Sequence, residues 1–291
     1  MSVVAFYAAK GAPGATTTAM LIASLWHRPT VLADCDPAGG DVALRLPDPD
    51  GRALHVDRGI LSLLPLARRP IASVMLLDHA QQVLGGGLVL AGLGGPEQAA
   101  AAGAVWPTLA NAFVSLESHD VVVDAGRLDI RSAVLPIVYA CDLAVCVLDA
   151  SLPGVFAARA RLRTLLPELA RHEHGGPRVG FVVRAARARD ADSAAAALAQ
   201  EFSQLAYLGH LPEDPAGARI FAGEPVSRPE RTLLVRAGSE LAGRLASQVD
   251  TTDWQPIPRT DGGTSAAASG AHRALPGVGR RGRRGREREN A

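Results

Sequence analysis

The stretch that decides the fold is Val3-Val4-Ala5-Phe6-Tyr7-Ala8-Ala9 followed at once by Lys10-Gly11-Ala12-Pro13-Gly14-Ala15-Thr16-Thr17-Thr18. The first half is an unbroken apolar run, as expected of a strand buried on both faces of a sheet. The second half consists of small residues leading into a helical pattern over Thr16–Trp26. Small residues let the backbone wrap closely round an anion, and the helix start presents free N–H groups with a partial positive charge. Strand, small-residue loop and helix together point to a phosphate loop. Thr16 stands where the hydroxyl of such a loop holds Mg²⁺, and Thr17 is placed to reach another phosphate.

The ordinary pattern is G-x-x-x-x-G-K-[ST], and here the lysine position is Ala15. Lys10 is the chain's only lysine among 30 Lys and Arg residues. A compact ammonium and a forked guanidinium are not interchangeable. Lys10 lies at the first position of the deviant Walker A pattern, K-G-G-x-G-K-[ST].

Further along, apolar runs alternate with helical patterns. Strands are expected at Thr30–Ala33, Leu88–Leu93, Val121–Val123, Leu143–Leu148, Val179–Val183 and Tyr207–Leu211. Helices are expected at Ile60–Ala67, Gln98–Leu116, Ile130–Tyr139, Val155–Leu169, Ala191–Phe202 and Arg231–Ala246. Gly85-Gly86-Gly87 reads as a turn before a strand. Repeated β–α units with near-continuous Val/Ile/Leu strands predict a doubly wound, mainly parallel α/β sheet with helices on both faces.

Two acidic segments fit that frame. Asp34-Cys35-Asp36-Pro37 closes the second strand, and Asp120-Val121-Val122-Val123-Asp124-Ala125-Gly126 has the form of a Walker B strand. Strand ends of this kind line the ligand crevice of an open parallel sheet, and an acid there can hold Mg²⁺ through water.

These motifs resemble the MinD/ParA group of deviant Walker ATPases over about residues 1–247. Leu211-Pro212-Glu213-Asp214-Pro215 and Ala222-Gly223-Glu224-Pro225-Val226 also look like the late stretch of that family. The resemblance implies a P-loop fold that binds ATP and Mg²⁺ between two subunits of a homodimer. It also implies a role in positioning cargo in a bacterial cell, with a protein partner from a positioning or secretion system. It makes Lys10 the signature lysine reaching the partner's phosphates and Asp36 the residue that positions the attacking water. Gly11, Ala12, Pro13, Gly14, Ala15, Thr16 and Thr17 would form the loop, Thr16 and Asp124 the Mg²⁺ site, and Glu213 to Ala216, with Pro215, the border of the adenine pocket.

Ala15 departs from that pattern. It removes a charge-assisted bond worth roughly 1.5–3 kcal/mol, together with stabilisation of the charge that moves in phosphoryl transfer. Weak or absent hydrolysis with retained binding is the expectation, as in pilus-assembly members of the TadZ/CpaE-like type that have altered loops. The alternatives are a nucleotide-independent scaffold and a biosynthetic P-loop enzyme. The last would want the intact loop lysine and a separate substrate pocket.

The 291 residues suffice for one large domain, with 48% hydrophobic and 20% charged residues. A net charge of +1 sets up no global field favouring nucleic acid or membrane. Three cysteines without metal-type spacing predict buried free thiols at Cys141 and Cys146, not a disulfide framework. No signal-peptide layout or membrane-length apolar run is present, so a cytoplasmic location is expected.

Residues 1–250 read as the P-loop domain and 251–291 as a disordered Arg/Gly/Ala-rich tail. Arg273, Arg280, Arg281, Arg283, Arg284, Arg286 and Arg288 could draw that tail to DNA or an acidic membrane. It lacks both an apolar helical face and interleaved aromatics. His172 and His174 flank Glu173, but the spacing is not that of a zinc helix.

Overall fold

The computed structural model describes residues 1–11, 14–171 and 176–251. In chain order the elements are β1 (Val3–Ala8), α1 (Ala15–Leu25), β2 (Thr30–Asp34), α2 (Val42–Arg45), α3 (Ile60–Leu63), α4 (Ser73–His79), β3 (Gln81–Gln82) and β4 (Leu88–Leu90). There follow α5 (Pro96–Ala101), α6 (Val105–Val114), β5 (Asp120–Arg127), α7 (Leu135–Ala140), β6 (Leu143–Asp149), α8 (Leu152–Ala170) and β7 (Arg178–Ala185). The last are α9 (Ala188–Ala199), β8 (Ala206–Pro212), α10 (Pro215–Ile220) and α11 (Leu233–Asp250).

The strands form one sheet in the order β3-β4-β2-β5-β1-β6-β7-β8. Every pairing is parallel except β3 with β4. Successive side chains on a strand point to opposite faces, and β1 shows what that does here. Val3, Ala5 and Tyr7 enter the apolar layer beneath α3 to α9. Val4, Phe6 and Ala8 enter the layer beneath α1 and α11. Helices therefore cover both faces, which is why β1 has no polar alternation.

The expected doubly wound fold is present, with local differences. The single helix expected at Gln98–Leu116 is two, α5 and α6, with Gly103 in the break. Ile130–Tyr139 contracts to α7, because residues 129–132 close a polar turn. In that turn the Arg131 N–H donates to Asp129 Oδ1 at 2.7 Å and the Asp129 N–H donates to Ser132 Oγ at 2.8 Å. Pro136 then stands in the first turn of α7, a position that tolerates its missing N–H. Ile60–Ala67 is helical only over α3 and continues as turns. Gly85–Gly87 turns the chain between β3 and β4, as expected, with Gly85 and Gly86 at φ 97° and 93°. The last helix starts at Leu233, where the Thr232 hydroxyl accepts from the Val235 N–H at 3.3 Å, a side-chain N-cap. Cys35, Cys141 and Cys146 are free and buried. The segments containing His172, His174 and the tail arginines lie outside the described residues.

The two acids of β5 do different work. Asp120, at its N-terminal end, is 1% exposed and joins three elements. It accepts from the Ser2 N–H at 2.7 Å, from Trp26 Nε1 at 2.6 Å and from Arg28 Nε at 2.6 Å. Asp120 therefore fastens the chain terminus and the end of α1 to the base of the sheet. Asp120→Ala would leave the Trp26 donor and the Arg28 cation without this acceptor. It should lower unfolding free energy by about 2–4 kcal/mol, read as a fall in the urea midpoint, with the β-sheet signal unchanged before the transition.

Candidate nucleotide site

The C-terminal ends of β1, β2, β5, β6, β7 and β8 meet along one edge, and most of the predicted site residues lie there. Gly14 is the last residue before α1, in the left-handed region at φ 90°, a conformation that favours glycine. Among the described residues no side chain caps α1. Its first N–H groups have no partners within the helix, so the turn leaves them facing the crevice. Gly11 is likewise left-handed, at φ 57°. Ala12 and Pro13 lie outside the described residues. Ala15 is 6% exposed and belongs to the apolar layer beneath α1 and α11, so methyl packing occupies the lysine position.

Gly14, Thr17 and Thr18 form one wall of a cavity of about 320 Å³. Glu213, Pro215 and the side chain of Arg184 line it from the β7 and β8 side. The cavity floor is fixed by Asp214, whose Oδ1 accepts from the Gly217 N–H at 3.0 Å and whose Oδ2 accepts from the Leu234 N–H at 3.0 Å. One carboxylate thus caps α10 and ties it to α11. Lys10 stands apart from this cavity. It is exposed and lines a separate hollow of about 210 Å³ with Gly11, Asp149, Ser151 and Gly154.

Asp34 and Asp124 are in-register neighbours on β2 and β5, and each is 1% exposed. Burial drives the Asp34 carboxyl up to about 8, and the nearby Asp124 charge pushes the same way. Burial also raises Asp124, to about 6, opposed by the Thr16 hydroxyl and the Gly126 N–H. Asp34 Oδ2 accepts from the Val42 N–H at 3.1 Å and Asp124 Oδ1 from the Gly126 N–H at 3.0 Å. Asp34 Oδ1 and Asp124 Oδ2 are buried without hydrogen-bond partners.

Asp36 is half-buried, with its carboxyl raised chiefly by burial. Its Oδ1 accepts from the Ala38 N–H at 2.8 Å. Gly126, at φ 59°, packs against it so closely that a Cβ there would fall 2.1 Å from Asp36 Cγ.

This donor set fits a hard cation. Mg²⁺ takes one or two protein oxygens and completes its shell with water and phosphate oxygens. Thr16 and the orphan Oδ2 of Asp124 are oxygens of that kind. Among the described residues no group of three or more His, Cys, Asp or Glu side chains is gathered as a self-sufficient metal site. The residues therefore suit an ion that arrives with a phosphate ligand.

No family model matches the sequence, and no curated protein matches it. Solved structures do. The ParA family ATPase of Chlorobium tepidum TLS is 15% identical, with TM-score 0.62, over 84% of this chain and 98% of its own. MinD from the MinC:MinD cell division protein complex of Aquifex aeolicus is 18% identical, with TM-score 0.62, over 89% and 99%. A Cyanothece McdA variant in complex with ATP is 14% identical, with TM-score 0.63, over 88% and 99%. The fold is that of the ParA and MinD ATPases. Nearly the whole length of each of these structures is covered.

Two residues of the crevice were not singled out as site residues from the sequence. Asp34 closes the second strand, but nothing in its residue type distinguishes its burial from the half-exposure of Asp36. Arg184 follows a strand that was expected to end at Val183. The rule that strand ends line the crevice applied to it equally.

Asp214 supplies a test of the cavity floor. Burial pushes its carboxyl up, but N–H donation, chiefly from Gly217 and Leu234, more than offsets this and holds it below its ordinary value. Its contribution is thus complete above the ordinary carboxylate range and lost as pH falls through the lower folded value. Asp214→Asn keeps one acceptor to cap α10 but sets an NH₂ donor against one of the two N–H groups, and should cost about 1 kcal/mol at pH 7. The gap between the two unfolding curves should narrow on acidification below pH ~4.

Proposed function

We propose that this protein is a ParA/MinD-like nucleotide switch that positions or partitions a partner complex, binding ATP with Mg²⁺ but hydrolysing it weakly or not at all. The observation that carries the reading is the uncapped start of α1 at the left-handed Gly14, facing the cavity bordered by Glu213 and Pro215. Helix N–H groups hold phosphate without any lysine, so binding survives a change that removes charge from the reaction path. When bound, Mg²⁺ supplies neutralising charge beside the phosphates; Thr16 and Asp124 are the residues to hold it. Asp36 is the residue to orient water. The ATP complex of the McdA variant and the MinC partner of Aquifex MinD support the same kind of ligand and partner here.

Lys10 supports a homodimer. It is exposed and lines a hollow separate from the cavity beside α1, as suits a cation that reaches across to a second copy. Leu152 and Phe156, beside the hollow that Lys10 lines, are 88% and 72% exposed. We place the protein in the cytoplasm; among the described residues no helix is long and apolar enough to cross a membrane. The domain comprises residues 1–250, with 251–291 as a basic segment for DNA or an acidic membrane.

A second reading is a scaffold that keeps the fold but has no nucleotide. The packing of Ala15 into the apolar layer favours it, because the lysine position holds no open space. Titration of ATP and ADP against wild type, Lys10→Ala and Ala15→Lys, with the mass in solution measured in each state, separates the two. The expected result is ATP binding by wild type with a gain of dimer that Lys10→Ala loses, and little or no phosphate release. Robust turnover by wild type would defeat the weak-hydrolysis reading. Nucleotide binding by Ala15→Lys alone would establish the scaffold.

A further inference from the structure

We propose that Arg184 supplies the phosphate-binding cation that the loop lost at position 15. The proposal deepens the nucleotide reading of the same cavity and rests on it.

Arg184 lies at the C-terminal end of β7, paired in register with Asp149 of β6 and Leu211 of β8. Its carbonyl accepts from the Ala150 N–H at 3.0 Å, which fixes the backbone at the rim of the crevice. The side chain then runs back toward the loop. A Cβ placed on Gly14 would lie 3.6 Å from Arg184 Nη1 and 3.9 Å from its Cδ. The guanidinium therefore stands beside the left-handed turn that opens α1, on the side where Thr17 and Thr18 line the cavity.

Its bonding is incomplete. Arg184 Nε is buried with no hydrogen-bond partner, an expensive state for a charged donor. Among the described residues no carboxylate lies within 4.0 Å of its guanidinium. Asp214, an acid of the same cavity, already spends both oxygens on the N–H groups of Gly217 and Leu234. Glu213 is exposed and makes no ion pair with Arg184. Arg28, by contrast, has Asp120; Arg161 shares an unpartnered buried Nε but has the Asp129 carboxylate 3.7 Å from its Nη1, and Arg184 has no such ion pair among the described residues.

An unmatched guanidinium on a cavity wall, beside free helix N–H groups, is a receptor for an oxyanion. Guanidinium binds phosphate through two parallel N–H···O bonds. The cation comes from the opposite wall of the cavity, so it approaches the phosphates from a different side than a loop lysine would. That arrangement holds a phosphate chain but does not follow charge along the reaction path, in keeping with binding that outlasts hydrolysis.

The test uses the full chain and three probes: ADP, tripolyphosphate and adenosine. Each is titrated by calorimetry against wild type, Arg184→Ala and the longer Arg184→Gln, with melting curves to show that both variants are folded. The expected result is a loss of about 10- to 100-fold in affinity for ADP and tripolyphosphate in both variants, with adenosine binding unchanged. Equal ADP binding by wild type and the folded variants would overturn the proposal and leave the nucleotide reading standing. A loss of adenosine binding equal to that of ADP would also overturn it, because the arginine would then read the base. Tripolyphosphate bound through Arg184 without any nucleotide affinity would uphold the cation and overturn the nucleotide reading. Binding of none of the three by wild type would overturn both.

Discussion

Everything in the crevice depends on where the strand order reverses. From β1 the sheet grows one way through β5, β2 and β4 and the other way through β6, β7 and β8. The connections leaving the two halves diverge at the C-terminal edge, where a ligand can enter an open parallel sheet. β1 pairs with β5 from Val3 to Ala8 and with β6 from Val4 to Ala8. The loop that follows Ala8 is thus held between the end of the acidic strand and the end of the strand that leads to Asp149. Asp120 and Asp142 secure the other end of β1, accepting from the N–H groups of Ser2 and Val3.

That geometry divides charge unevenly. The deeply buried acids sit on the β2 and β5 side, where burial raises both Asp34 and Asp124. The cations sit outside it: Lys10 on the exposed rim and Arg184 on the β7 wall. At the centre, where a lysine would join the two sides, Ala15 contributes a methyl group to the apolar layer. A polyanion bound there would be gripped by helix N–H groups and by cations at a distance from the loop centre.

The fold was legible because strand and helix patterns are written in burial. β1 and the centres of β2 and β5 are apolar without alternation since helices cover both their faces. Elements too short to show a period were not legible: α2 and α3 have four residues each, and β3 has two. The ends of longer elements were set by single polar contacts, such as the Asp129–Ser132 turn that delays α7. At the site, the loop and both acidic segments could be read from residue type at strand ends. Depth could not. Asp34 and Asp36 look alike two positions apart, but residues two apart share a face only while the strand lasts, and β2 ends at Asp34. Asp120 and Asp124 also look alike, but the length of β5 puts one at the base of the sheet and the other at the crevice. Arg184 was hidden by its chemistry, since one arginine in an arginine-rich chain draws no notice until its donors are seen unmatched.

Gly126 touches two of these acids in different ways. Its N–H binds Asp124 Oδ1, and its Cα lies against the Asp36 carboxylate with no room for a methyl group between them. The one residue thus stands between a carboxylate of β5 and another on the exit loop of the neighbouring β2. Any side chain at position 126 would collide with the Asp36 carboxylate, so the place of Asp36 in the crevice depends on a side chain that is missing from a different strand.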